Sequence, residues 1–228
     1  MLAPGLYVVS TPIGNLGDMT ERALDVLVKA DIVACEDTRR TGLLLHRFEV
    51  KNRLVSYHDH NKLRRTPELL EMLRQGKRVA LTTDAGTPGV SDPGFYLVRA
   101  AAERGFPVVP VPGASAIMAA LVVSGLPTDR FCFEGFLPKR AGRRGKRLKE
   151  LAAEPRTMVF FESAQRTARL LGELLDAFGD RPVVVCRELT KKFEETMRGS
   201  LAELLDGLEG RTLKGEVVVV VGGDEGSA

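Results

Sequence analysis

Two carboxylates and two guanidiniums stand side by side in Glu36-Asp37-Thr38-Arg39-Arg40. Such a cluster can act as a general base flanked by clamps for an anionic substrate. It equally suits a solvated helix start, where acids face the positive end of the dipole. His58-Asp59-His60-Asn61 places two imidazoles two residues apart, which has metal-ligand character. With His46 the only other histidine and no Cys or carboxylate cluster adjoining, no metal site is completed. Asp84 opens a third group, Asp84-Ala85-Gly86-Thr87-Pro88-Gly89, followed by Ser91-Asp92-Pro93-Gly94. Its glycines permit positive φ or close backbone approach and its prolines stiffen the path, so it reads as a ligand loop or as a tight strand-to-helix connection. The steepest charge feature is the stretch after Phe136, with seven basic residues in thirteen positions and no acid. Unmixed basic charge beside Pro and Gly suits an exposed arm that holds phosphates.

These residues need elements to position them. Arg78 to Thr83 is short, β-branched and apolar, and no 3.6-residue stripe runs through it, so it reads as a buried strand that delivers Asp84 to its carboxyl end. In open α/β sheets that edge is where ligands bind. Gly5 to Ser10 is a first strand running into Thr11-Pro12-Ile13-Gly14-Asn15-Leu16-Gly17-Asp18, after which Thr20 caps a helix. This loop carries neither a Walker A sequence nor the Rossmann fingerprint, so no phosphate cradle is indicated. Asp31 to Cys35 leads to the Glu36–Arg40 cluster, and Leu54 to Tyr57 leads to His58. Pro67 to Gln75 reads as a helix, and another runs from about Pro93 to Arg104. Phe106 to Val111 ends in Pro112-Gly113-Ala114-Ser115-Ala116, which opens a helix of small residues. Three strands thus end in Gly/Pro loops, and that repetition favours a binding crevice over coincidental turns.

The alternation resets near residues 115 to 127, which suggests two α/β domains, 1–120 and 121–228. The second holds strands at Arg130 to Gly135, Thr157 to Phe161, Pro182 to Cys186, Glu195 to Arg198 and Glu216 to Val221. Ser163 is placed as the cap of a helix through Phe178, and Gly222 to Ala228 as a frayed tail. At 228 residues, 44% apolar and with a net charge of +3, the chain affords a sizeable core and does not announce a nucleic-acid binder by charge alone. Cys35, Cys132 and Cys186 are odd in number and embedded in apolar stretches, which suggests reduced core thiols. With no secretory leader pattern and no run of apolar residues long enough for a membrane span, a soluble cytoplasmic protein is expected.

Ser10-Thr11-Pro12-Ile13-Gly14-Asn15-Leu16, Glu36-Asp37-Thr38-Arg39, Thr83-Asp84-Ala85-Gly86-Thr87-Pro88, Ser91-Asp92-Pro93-Gly94 and Pro112-Gly113-Ala114-Ser115-Ala116 together resemble the tetrapyrrole-methylase superfamily of S-adenosylmethionine-dependent enzymes. Gly135-Phe136-Leu137-Pro138-Lys139, Phe161-Glu162-Ser163, Arg187-Glu188-Leu189-Thr190-Lys191 and Lys214-Gly215-Glu216 extend the likeness over nearly the whole chain, toward the branch that methylates small-subunit ribosomal RNA. Gln165 departs from that branch's Glu-Ser-x-His-Arg pattern. The resemblance implies two α/β domains with S-adenosylmethionine in the cleft between them, a homodimer, and 2′-O-methylation of a cytidine in the decoding region of 16S ribosomal RNA. Carried over by motif, Pro12, Gly14, Asp84, Gly86, Thr87, Ala114, Ser115, Glu162, Ser163, Gly215 and Glu216 would meet the cofactor. Asp37 and His58 are candidates for base or water relay, and Arg39 for clamp or oxyanion stabiliser. Lys139, Arg140, Arg143, Arg144 and Arg147 would hold RNA phosphates. Tetrapyrrole or other small-molecule methylation and a non-catalytic RNA-binding role are the rival readings. The basic arm argues against the first, and three loops suited to a small ligand argue against the second.

Overall fold

A computed structural model describes residues 2–224. The chain divides into two compact units, Met1–Ser115 and Ala116–Ala228. The first alternates strand and helix: β1 (Gly5–Val9), α1 (Glu21–Lys29), β2 (Ile32–Cys35), α2 (Thr38–Arg47), β3 (Leu54–Ser56), α3 (Lys62–Arg74), β4 (Arg78–Leu81), α4 (Gly94–Ala102) and β5 (Val108–Val111). Its five strands are all parallel, in the order β3-β2-β4-β1-β5. Side chains alternate across the sheet, as the twofold strand period requires. Leu6, Ile32, Ala34, Val79 and Leu81 pack with Leu69, Leu73 and Leu97 of α3 and α4. Tyr7, Val9, Val33 and Ala80 pack with Val26, Leu27 and Leu45 of α1 and α2. Both faces are covered, which is why the strands read as continuous apolar runs.

The connections then decide where a crevice opens. The chain leaves β2 through α2 to β3 on one side, and leaves β4 through α4 to β5 on the other. β2 and β4 are neighbours whose loops diverge, so the crevice lies at their carboxyl ends. At the opposite ends Asp31 ties the two strands together. Its carboxylate accepts from the Arg78 backbone N–H (2.7 Å) and guanidinium (2.9 Å).

One sequence expectation for this unit is corrected. α3 begins at Lys62, five residues before Pro67, because the backbone N–H groups of Arg64 and Arg65 close a first turn on the Asn61 carbonyl. Pro67 sits inside the helix, and its missing N–H removes one bond only. α4 begins at Gly94 with Pro93 as its N-cap residue, while the Asp92 carboxylate accepts from the Gly89 and Gly94 N–H groups.

The second unit comprises α5 (Ala116–Ser124), β6 (Phe131–Phe136), α6 (Ala141–Leu151), β7 (Thr157–Ser163), α7 (Thr167–Phe178), β8 (Pro182–Arg187), β9 (Glu195–Ser200), α8 (Leu201–Gly207) and β10 (Glu216–Val221). The sheet order is β6-β7-β10-β8-β9, with β6 and β7 parallel and the other pairs antiparallel. Its core joins Leu148 and Leu151 of α6, Leu170, Leu171 and Leu174 of α7 and Leu201 of α8 to Phe160, Val185 and Val219 of the sheet. Ser200 caps α8 in a reciprocal box with Glu203. Ser163 does not cap α7, since a 3-10 turn at Ala164–Arg166 intervenes. Gly222 and Asp224 are not frayed: their N–H groups donate to Pro182 (2.8 Å) and Glu154 (2.7 Å). The rest of the expected tail, residues 225–228, lies outside the described residues.

Candidate functional site

The three Gly/Pro loops of the first unit are stitched to one another. Thr11 and Gly86 exchange both backbone hydrogen bonds (2.9 and 3.0 Å), joining the loops after β1 and β4. The Thr87 hydroxyl lies 2.9 Å from the Ser10 hydroxyl and donates to the Ala114 carbonyl at 3.3 Å, which brings in the loop after β5. Gly86 has a φ of +82°, a conformation that side chains resist, and a Cβ there would meet Ile13 at 3.4 Å. Ser115 ends the same loop and closes the unit. A cavity of about 190 Å³ opens between Pro12, Gly14, Leu16, Arg40, Thr83 and Asp84. A larger groove of about 630 Å³ runs along α3 and α4 and carries none of these strand-end groups. The chemistry therefore favours the smaller cavity.

Asp84 is the hub of this edge. Its carboxylate accepts from the Asp37 backbone N–H (3.1 Å) and from the Arg40 guanidinium (3.1 Å). Beside it the Thr83 hydroxyl donates to Glu36 at 3.1 Å. Glu36 and Arg40, read in the sequence as part of one charged cluster, are the members of it that engage Thr83 and Asp84 directly.

Asp37 does two structural jobs. Its carboxylate caps α2 by accepting the Arg39 N–H (2.8 Å), and it receives the Arg39 guanidinium through both oxygens. The Arg39 guanidinium, first by hydrogen bonding, holds the Asp37 carboxyl well below the usual carboxylate range. In this arrangement the Asp37 carboxylate is engaged in capping α2 and in holding Arg39. Arg39 itself is 87% exposed, and Asp37 is its one partner among the described residues.

His58 follows β3. Its Nε2 lies 3.1 Å from the Asn61 amide nitrogen, while the Asn61 amide oxygen accepts the His58 backbone N–H. An amide N–H pointing at Nε2 makes that nitrogen the acceptor and leaves the proton on Nδ1. Nδ1 is buried without a partner, as are Thr82 Oγ1 and Asp92 Oδ2. All three orphaned atoms belong to segments leaving the carboxyl edge of the sheet. Of the polar groups at this edge, Thr83, Asp84 and Arg40 line the 190 Å³ cavity itself. Among the described residues no group of three or more His, Cys, Asp or Glu could hold a metal ion.

In the second unit the structure separates residues that sequence motifs had grouped. Glu162 is only 4% exposed and spends its oxygens on the Ser163 N–H (2.9 Å), Arg166 (2.8 Å) and Arg144 (3.4 Å). Glu162 thus serves as an internal anchor between β7, α6 and the turn before α7. Gly215 holds a φ of +98°, a region that favours glycine, and the Glu188 side chain packs against its Cα. Glu216 is exposed and pairs with Lys191 at 2.8 Å, and Lys191 also holds Glu188 at 2.9 Å. Ser163 stands beside this group as the register partner of Glu216.

The basic arm is split in the same way. Arg144 is 7% exposed and locked between Glu162 and Glu173. Arg147 makes a fork to Glu134 (2.8 and 2.9 Å) and reaches Glu150 at 3.1 Å. These two are corrected from phosphate contacts to struts that fasten α6 to the sheet and α7. Lys139, Arg140 and Arg143 are exposed, as are Lys146 and Lys149, which the sequence-derived set omitted. α6 buries Arg144, Leu148 and Leu151, one stripe at helical spacing, and turns these cations outward.

The family of Tetrapyrrole (Corrin/Porphyrin) Methylases matches residues 5–205. Ribosomal RNA small subunit methyltransferase I of Mesorhizobium japonicum is 52% identical over 229 aligned positions, covering 100% of this chain and 78% of that protein. The protein of the same name from Escherichia coli O157:H7 is 48% identical, covering 96% and 77%. Among solved structures, uroporphyrin-III C-methyl transferase from Thermus thermophilus complexed with S-adenyl homocysteine superposes with a TM-score of 0.64 at 23% identity, covering 96% of this chain and 97% of that one. That likeness is one of fold.

Proposed function

The chain belongs to the tetrapyrrole (corrin/porphyrin) methylase family, and we propose that it transfers a methyl group from S-adenosylmethionine to RNA of the small ribosomal subunit. The observation that carries this is the 48–52% identity, over 96–100% of the chain, to relatives named ribosomal RNA small subunit methyltransferase I. The outward cations of α6 support it, because they suit the phosphates of an RNA acceptor. The finer reading is 2′-O-methylation of a cytidine in the decoding region of 16S ribosomal RNA, on a small subunit, by a homodimer.

When bound, S-adenosylmethionine supplies a methyl already activated by its sulfonium, so the protein contributes mainly geometry and charge. Asp84, with the backbone of Gly86 and Thr87 and the loops at Pro12–Gly14 and Ala114–Ser115, would hold it. Asp37 keeps Arg39 in place, and Arg39 is a clamp for acceptor phosphate or for negative charge developing on the attacked oxygen. His58 takes the proton-relay role, with Asn61 fixing its tautomer. Lys139, Arg140 and Arg143 hold RNA phosphates.

The test is transfer of labelled methyl from S-adenosylmethionine to small ribosomal subunits from cells lacking this protein, followed by nucleoside mass spectrometry. Label in 2′-O-methylcytidine is the expected result. No label in RNA, with cofactor binding intact by calorimetry, would redirect the assignment to a tetrapyrrole or other small acceptor. No cofactor binding would sink the methyl-transfer reading itself.

A further inference from the structure

Phe136 ends β6, and the residue is 59% exposed although both chain neighbours, Gly135 and Leu137, are buried. The backbone is thus fixed while the ring points to solvent. A bulge between Phe133 and Gly135 interrupts the register with β7, and Gly135 takes a φ of +60° to accommodate it. Phe133 and Phe136 are three residues apart, so in a regular strand they would face opposite sides. The extra residue cancels that offset. Both rings now meet Phe161 edge to face, at 4.9 Å for Phe133 and 5.6 Å for Phe136. Phe136 is braced from behind by an aromatic pair and has its outer surface open.

The chain just beyond it carries Lys139, Arg140, Arg143, Lys146 and Lys149, all exposed. None of them has a carboxylate partner among the described residues, although Arg144 and Arg147 on the same helix are both paired. A rigid exposed aromatic followed by unneutralised cations matches what single-stranded nucleic acid offers, a π-face on each base and a charge on each phosphate.

We propose that Phe136 is a stacking platform for an unpaired base of the RNA acceptor, with Lys139, Arg140 and Arg143 holding neighbouring phosphates. This rests on the RNA-methylating reading above and adds to it that unit two grips an unstacked nucleotide. The bulge sets the platform's aim, and the Phe133–Phe161 pair sets its rigidity.

The experiment measures binding of a short single-stranded RNA carrying 2-aminopurine, by anisotropy and by quenching of the base analogue. It compares the full chain with Phe136→Ala, Phe136→Trp and Phe136→Tyr. Phe136→Ala should weaken binding about ten- to a hundredfold and lose quenching, while the aromatic replacements keep both. The salt dependence should be unchanged, because no phosphate contact is removed. Thermal melting and S-adenosylmethionine affinity check that Phe136→Ala is folded. Wild-type affinity in Phe136→Ala would overturn the platform alone. If that variant instead changes sedimentation while RNA affinity is kept, the ring covers a second copy and the proposal is overturned. An unsubstituted chain that binds S-adenosylmethionine but no RNA would remove the RNA reading and the platform together.

Discussion

The Asp37 backbone N–H donates to the Asp84 carboxylate at 3.1 Å, across 47 residues of chain. One bond thereby ties the carboxyl ends of β2 and β4, the two strands whose connections diverge. The Arg40 guanidinium completes the hold on Asp84 from the first turn of α2. The loop that is the best candidate for the cofactor is therefore positioned by charge as well as by packing.

Replacing Asp84 should expose that dependence. Hydrogen bonds to a charged group contribute about 1.5–3 kcal/mol, so Asp84→Ala should weaken S-adenosylmethionine binding about ten- to a hundredfold in calorimetry. Asp84→Asn keeps an oxygen for the Asp37 N–H but loses the charge that faces Arg40, and should fall between the two. Unaltered affinity in Asp84→Ala would count against this cavity as the cofactor site.

Neighbouring arginines on α6 should behave oppositely. Arg144→Ala removes a buried cation from Glu162 and Glu173, which keep Arg166 and Arg169 as partners, a loss of about 1–3 kcal/mol, read as a melting temperature about 5 °C lower. Arg143→Ala should leave melting unchanged and reduce the slope of log affinity for RNA against log salt by about 0.7 to 0.9. Equal melting temperatures for the two variants would contradict the buried-strut role.

The Asp31–Arg78 pair sets an acid limit. The Arg78 guanidinium, chiefly by hydrogen bonding, lowers the Asp31 pKa from 3.8 to about 2. A folded pKa below the unfolded one means that the stabilisation is present above about pH 4 and disappears as pH falls through 2. The side chains are 25% and 34% exposed, so the contribution is screened to about 1 kcal/mol. Urea unfolding should find Asp31→Asn less stable by that amount at pH 7, with the gap closing near pH 2. A gap of the same size at both pH values would show that the charge is not its source.

Thr190 holds a φ of +66°, a region that β-branched residues avoid, and its hydroxyl oxygen is buried without a partner. Left-handed backbone costs a non-glycine residue about 1–2 kcal/mol. Thr190→Gly should stabilise the chain by about 1 kcal/mol in denaturant unfolding, a result that loss of an ordinary contact could not produce. Destabilisation would mean that the threonine side chain holds the loop.

The first unit was largely legible from sequence because its signals are local. Strand-length apolar runs with no helical stripe, Thr20 as a cap and Gly/Pro loops after β1, β4 and β5 are all read within a dozen residues of themselves. α3 was the local failure: Pro67 looked like a helix start, while the turn that begins at Lys62 depends on Asn61, whose amide also reaches back to Ser56 and His58.

The placement of the candidate loops was legible, and the partners of their side chains were not. Residue types and order alone placed Pro12, Gly14, Asp84, Gly86, Thr87 and Ala114 in loops at one sheet edge, because a parallel α/β alternation sends each strand end the same way. Tertiary structure decided which charges are free. Arg143 and Arg144 are adjacent and chemically identical, yet the helix turns about 100° per residue, so one faces water while the other meets Glu162 and Glu173. Arg39 folds back on Asp37, and two arginines close over Glu162. A side chain's identity sets the chemistry it can do, but the partners that pack against it, often tens of residues away, settle whether any of that chemistry is left to spend.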